Sequence, residues 1–139
     1  ETGLFDTLAH PDLVKNEDPH AWRFSRIQPQ IERALDRIAA TGVAMELNTS
    51  GLHKAVPEMN PGPQMLALIR ERGIPVVLGA DAHRPARVAG HYEQALRLLD
   101  ELGFTTVSHF LDRRRHDIPI AAALASLREI SVAASQPAG

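Results

Sequence analysis

Asp81 and His83 stand two residues apart, directly after the apolar run Val76-Val77-Leu78-Gly79, and Arg84 follows them. On an extended segment an i, i+2 spacing sends both side chains to one side. A carboxylate and an imidazole placed together suit a cation or a phosphoryl group. The guanidinium beside them offers a planar fork of donors for phosphate oxygens. Three further positions repeat the pattern of polar chemistry after an apolar run. His10 follows Leu4–Ala9, Glu46 and Asn48 end the run from Val43, and His109 lies in the run 104–110. The sequence has no cysteine, so imidazole and carboxylate are the available hard or borderline metal donors.

Chemistry of this kind needs elements that bring distant residues to one place. The runs Leu4–Ala9, Val43–Leu47, Val76–Leu78 and Thr105–Phe110 read as buried strands. Helices are expected over 27–41, 63–72, from Tyr92 to Gly103, and over 119–130. Gly42, Gly73 and Gly103 act as stop signals for the first three. Strand and helix thus alternate four times, which predicts an α/β domain with parallel strands and helical crossovers. In such sheets the loops at the carboxyl ends of the strands carry the site. Residues 15–25 and the Pro/Gly-containing stretch 48–63 read as loops. The run Arg113-Arg114-Arg115 and His20, His91 and His116 read as solvated surface. The domain is expected over 1–130, with a tail over 131–139.

Composition narrows the class. The 139 residues are enough for one modest core, and 44% hydrophobic with 23% charged residues is ordinary for a globular domain. A formal net charge of -2 and 4% aromatics argue against a nucleic-acid surface. No apolar run approaches a membrane span, and no signal peptide is visible, so a cytoplasmic location is the default expectation. The chain opens Glu1-Thr2-Gly3 without methionine, and the expectation is that it is the later part of a longer protein.

Three segments carry a resemblance. His10-Pro11-Asp12-Leu13-Val14, then Glu46-Leu47-Asn48-Thr49-Ser50-Gly51-Leu52, then Gly79-Ala80-Asp81-Ala82-His83-Arg84-Pro85 resemble, in order, the later motifs of the polymerase and histidinol phosphatase (PHP) family. The likeness is greatest to the histidinol-phosphatase branch, and it extends to about Ile120. It implies the C-terminal part of a distorted (β/α)7 TIM-like barrel, here about four βα units. It implies a phosphomonoester hydrolase acting on a small phosphorylated substrate, histidinol phosphate above all, with two or three divalent metals (Zn, Mn or Fe). His10, Asp81 and His83 match metal ligands, with Asp81 and His83 expected to carry catalysis. Arg84, Lys54, Asn48 and Glu46 match regions that hold substrate and phosphate. The opening His-x-His motif and the middle ligands of the family are absent. The fragment alone is therefore expected to be inactive. Another phosphoesterase of the same family, or a non-catalytic interaction module, are the alternatives.

Overall fold

The structure, a computed structural model, describes residues 3–134, with side chains through residue 128. Nine regular elements alternate: β1 (Thr7–Leu8), α1 (Phe24–Ala39), β2 (Ala44–Asn48), α2 (Pro63–Glu71), β3 (Val76–Gly79), α3 (Tyr92–Glu101), β4 (Thr106–Leu111), β5 (Arg114–Pro119) and α4 (Ile120–Ala134). The five strands form one sheet in chain order, with β1 to β4 parallel and β5 antiparallel to β4. The α/β class and the parallel strands are as expected.

Register divides the sheet into two faces. Met45 lies opposite Val76 and Leu47 opposite Leu78. These side chains join Leu35 of α1, Leu66 and Ile69 of α2, Leu96 and Leu99 of α3 and Ile120 of α4 in one apolar core. The other face carries Glu46 opposite Val77, and Val77 lies opposite Ser108. Ser108 donates its hydroxyl hydrogen to Asp117 of β5 at 2.6 Å. Apolar burial thus fixes which side chains of each strand remain for polar work, because a one-residue slip would invert every one of them. Gly73 and Gly103, with φ of 63° and 82°, end α2 and α3 in the left-handed conformation.

Four expectations need correction. β1 is two residues long, not six. It is an edge strand, and Leu4 and Phe5 lie 64% and 73% exposed ahead of it. No strand is expected over the arginine run, yet Arg114 and Arg115 open β5, a strand that pairs with β4 and is exposed throughout, so the run is solvated as read but lies in the sheet. His109 does not join the other strand-end residues. It sits inside β4 opposite His116, the two rings stacked 5.2 Å apart, and it alternates to the face opposite Ser108 and Glu46. The helix α4 runs to Ala134, beyond the expected end at 130, and residues 135–139 of the expected tail lie outside the described residues.

Among the described residues no helix is long and apolar enough to cross a membrane.

Candidate functional site

The carboxyl ends of β1, β2 and β3 bring the three motif segments together. His10 leaves β1 in the left-handed conformation at φ 51°, and Asp81 leaves β3 the same way at φ 45°. Non-glycine residues rarely adopt this geometry, and they hold it only where surrounding contacts impose it. At His10 those contacts are visible. Its backbone N–H donates to Glu46 Oε2 at 3.3 Å, and its Nδ1 lies 3.2 Å from the same oxygen. Glu46 can lie flat toward β3 because Gly79 has no side chain. A Cβ there would collide with the Glu46 carboxylate.

Asn48 faces His10 from the end of β2. Its Oδ1 accepts the Ser50 N–H at 2.9 Å, which turns its Nδ2 toward His10 Nδ1 at 3.3 Å. One ring nitrogen cannot accept from an amide and donate to a carboxylate at once. With Nδ1 bare it accepts from Asn48; with Nδ1 protonated it donates to Glu46. Asn48 itself is fully buried, and its backbone pairs in both directions with Asn60, at 2.7 and 3.0 Å.

Below this group lies a polar knot in a segment expected to be a loop. The turn Leu13–Asn16 drives Lys15 to complete burial. Its ammonium donates to Asp12 Oδ2 at 3.0 Å, Glu58 Oε1 at 2.8 Å and the Met59 carbonyl at 2.9 Å. Asp12 also accepts the Gly62 N–H at 2.8 Å. Burial pushes the Asp12 carboxyl above its ordinary value. The hydrogen bond from Gly62 and the Lys15 charge pull the other way.

The third group is more open. His83 is 83% exposed, and its Nδ1 lies 2.9 Å from the Asp81 carbonyl and 3.8 Å from the Asp81 carboxylate. Arg84 is exposed at the start of the turn Pro85–Arg87. Thr49 ties this loop to the previous one: its hydroxyl donates to the Gly90 carbonyl at 2.7 Å, with the Gly79 carbonyl at 3.3 Å. Tyr92 donates to the Leu78 carbonyl at 3.3 Å. Its phenol is held above the usual range by burial and then by the nearby Glu46 charge.

Between the two loops lies a cavity of about 210 Å³, lined by Thr49, Ser50, His53, Ala80, Ala86, Arg87, Gly90 and His91. The His53 and His91 rings approach to 5.2 Å across it. The Ser50 hydroxyl is buried and has no hydrogen-bond partner. Two imidazoles, a guanidinium and a free hydroxyl make a donor set for an anion. Arg84 and Lys54 are not among the lining residues; His91, read from sequence as solvated surface, and Arg87, which the sequence does not single out, are.

The site residues therefore fall into two pairs, His10 with Glu46 and Asp81 with His83. Among the described residues no three His, Asp or Glu side chains converge closely enough to hold a metal ion. These donors do not by themselves fit the two- or three-metal centre that the resemblance implies.

What the fold and the site define is an α/β protein with a polar cleft, lined by His53, Arg87 and His91, at the carboxyl ends of parallel strands. No protein-family profile matches the chain. It is 37% identical over 110 residues to a protein of Deinococcus radiodurans named probable histidinol-phosphatase. The match takes in 77% of this chain and 40% of that relative, so the chain spans less than half the length of the curated protein it matches. The chain is thus similar, over most of its own length, to a protein of that name, in keeping with the resemblance that its three motifs carry.

Proposed function

We propose that this chain is part of a metal-dependent phosphomonoester hydrolase of the histidinol-phosphatase type, releasing phosphate from histidinol phosphate. The observation that carries the reading is the 110-residue similarity to the Deinococcus radiodurans protein. The geometry supports it with a phosphate-sized donor set between the loops after β2 and β3. In this reading His53, Arg87 and His91 take the phosphoryl oxygens, and Arg84 and Lys54 add positive charge nearby. Asn48 and Glu46 orient His10, whose ring proton they compete to place. His10, Asp81 and His83 belong to the ligand set of the divalent metals (Zn, Mn or Fe), which needs donors beyond those described here to close its shells. The strands form one side of a TIM-like barrel, and the protein acts in the cytoplasm on a small soluble substrate.

One observation favours a second reading, a non-catalytic binding module: no three ligands converge in this chain. A single assay separates the two. The intact protein and residues 1–139 alone are loaded with zinc, manganese or iron, and phosphate release from histidinol phosphate is followed beside nucleoside monophosphates. Turnover of histidinol phosphate by the intact protein, and none by residues 1–139, is expected. No turnover by either form supports the module. Preference for nucleotides moves the protein to another phosphoesterase class.

A further inference from the structure

We propose that Lys15 is a positioning residue of the strand-end site, clamping the segment 57–62 so that Asn48 is held against His10. The role in turnover rests on the phosphatase reading; the clamp itself does not.

Lys15 is fully buried, and all three hydrogens of its ammonium are used, on Asp12, Glu58 and the Met59 carbonyl. A buried charge is costly unless every proton is met, and apolar side chains in place of the whole ion group would fill the same space more cheaply. What the ammonium adds is connection. Asp12 is two residues beyond His10. Met59 directly precedes Asn60, whose backbone pairs with Asn48 at 2.7 and 3.0 Å. Lys15 thus grips the chain next to both members of the Asn48–His10 contact at 3.3 Å. The Asn60 side chain does not share the task, since neither its nitrogen nor its oxygen has a partner. Nor is there slack around it. A Cβ on Gly51 would meet the Glu58 carbonyl and lie 2.8 Å from Asn60 Nδ2, and one on Gly62 would lie 2.5 Å from the Glu58 carboxylate.

The test uses the intact protein labelled with 15N-histidine and 15N-asparagine, with His10 assigned by His10→Gln. Ring-nitrogen spectra of His10 and amide exchange at Asn48 and Asn60 are compared in wild type, Lys15→Met, Glu58→Gln and the control Arg72→Ala. Arg72→Ala breaks an ion pair to Asp36, which is itself 63% exposed. Both clamp variants should shift the His10 ring nitrogens and speed exchange at Asn48 and Asn60 by about tenfold; the control should do neither. Unchanged His10 signals and exchange in a folded clamp variant overturn the proposal. If Lys15→Met does not fold, Glu58→Gln decides alone, because the Glu58 side chain is already 38% exposed. In the activity arm both clamp variants should lose kcat on histidinol phosphate with KM nearly kept. A wild type without turnover but with the spectral shifts sinks the phosphatase reading and leaves the clamp. Turnover with no spectral shift sinks the clamp and leaves the reading.

Discussion

The loop after β2, residues 49–62, and the loop after β3, residues 80–91, lie side by side and are built on opposite terms. The first is tied down at almost every turn. Asn48 caps it, Asn60 pairs back to β2, and Lys15 holds it from below through a buried ion network. The second is exposed along nearly all its length, and Asp81, His83 and Arg84 stand on it with few partners. Thr49 joins the two at the Gly90 carbonyl. The difference separates two tasks. The exposed loop presents most of the groups that can meet a ligand, while the first, apart from His53 and Lys54 at its more open middle, fixes the frame against which they are set. Loops that carry function commonly rest on such a rigid support.

The comparison breaks most directly at one residue from each side. Lys15→Met leaves the buried Asp12 carboxyl and the part-exposed Glu58 carboxylate without their cation, and it is expected to cost about 3 kcal/mol of stability, mostly through Asp12. Arg84→Ala removes an exposed side chain and is expected to stay within about 0.5 kcal/mol of wild type. Urea unfolding of the two variants checks this. Equal costs would mean that the knot under the first loop is no firmer than the surface of the second.

A middle-sized effect sharpens the same contrast through glycines. A Cβ at Gly51, in the first loop, would strike the Glu58 backbone carbonyl, which cannot step aside without moving the segment. Gly51→Ala should therefore cost about 2 kcal/mol, in the range of overpacking. A Cβ at Gly79, where the second loop begins, would strike only the end of the Glu46 side chain. Glu46 can swing away, so Gly79→Ala should cost about 1 kcal/mol, roughly one hydrogen bond, and its main effect should be to part Glu46 from His10. Thermal unfolding ranks the two, and the His10 ring-nitrogen spectrum shows where the second one acts.

Much of this organisation can be read from the amino acids, and the rest has a physical reason for being hidden. The parallel strands are visible because Val43–Leu47 and Val76–Leu78 are short apolar runs ended by polar or glycine residues, and the helices because their apolar residues recur at helical spacing. The order of the three motifs is legible too, since it lies along the chain. What is not legible depends on partners far away in sequence. Lys15 looks like an ordinary loop cation until Glu58 and Met59, 43 and 44 residues on, close over it. Strand β5 carries no alternating pattern because all six residues are exposed, and it exists through pairing with β4. Its turn uses Asp112 and Arg113 at φ 48° and 61°, without the Asn-Gly or Asp-Gly signature that announces such hairpins. The pairing of His10 with Glu46, and not with Asp81, follows from the register of β1 on β2 and from the bare surface at Gly79.

The smallest effect concerns the charge that the frame places beside the second loop. Tyr92 opens α3, just after that loop, and its phenol is kept neutral to higher pH by burial first and by the Glu46 carboxylate second. Because the folded pKa lies above the ordinary 10.0, the neutral phenol contributes stability below pH 10, and that contribution is lost as pH rises through the folded value. Glu46→Gln removes the like charge and leaves the burial. The Tyr92 titration should then move down but stay above its ordinary value, and the alkaline loss of stability, which still begins near the ordinary value, should be smaller and complete at lower pH. Tyr92 is the only tyrosine in the sequence, so its phenolate absorbance gives the titration without overlap from a second phenol. A midpoint unmoved by Glu46→Gln would show that the Glu46 charge does not reach across the end of β3. The fixed frame and the exposed loop would then be electrostatically independent at this point, joined by the Thr49 hydrogen bond, the His53–His91 ring contact and the backbone between them.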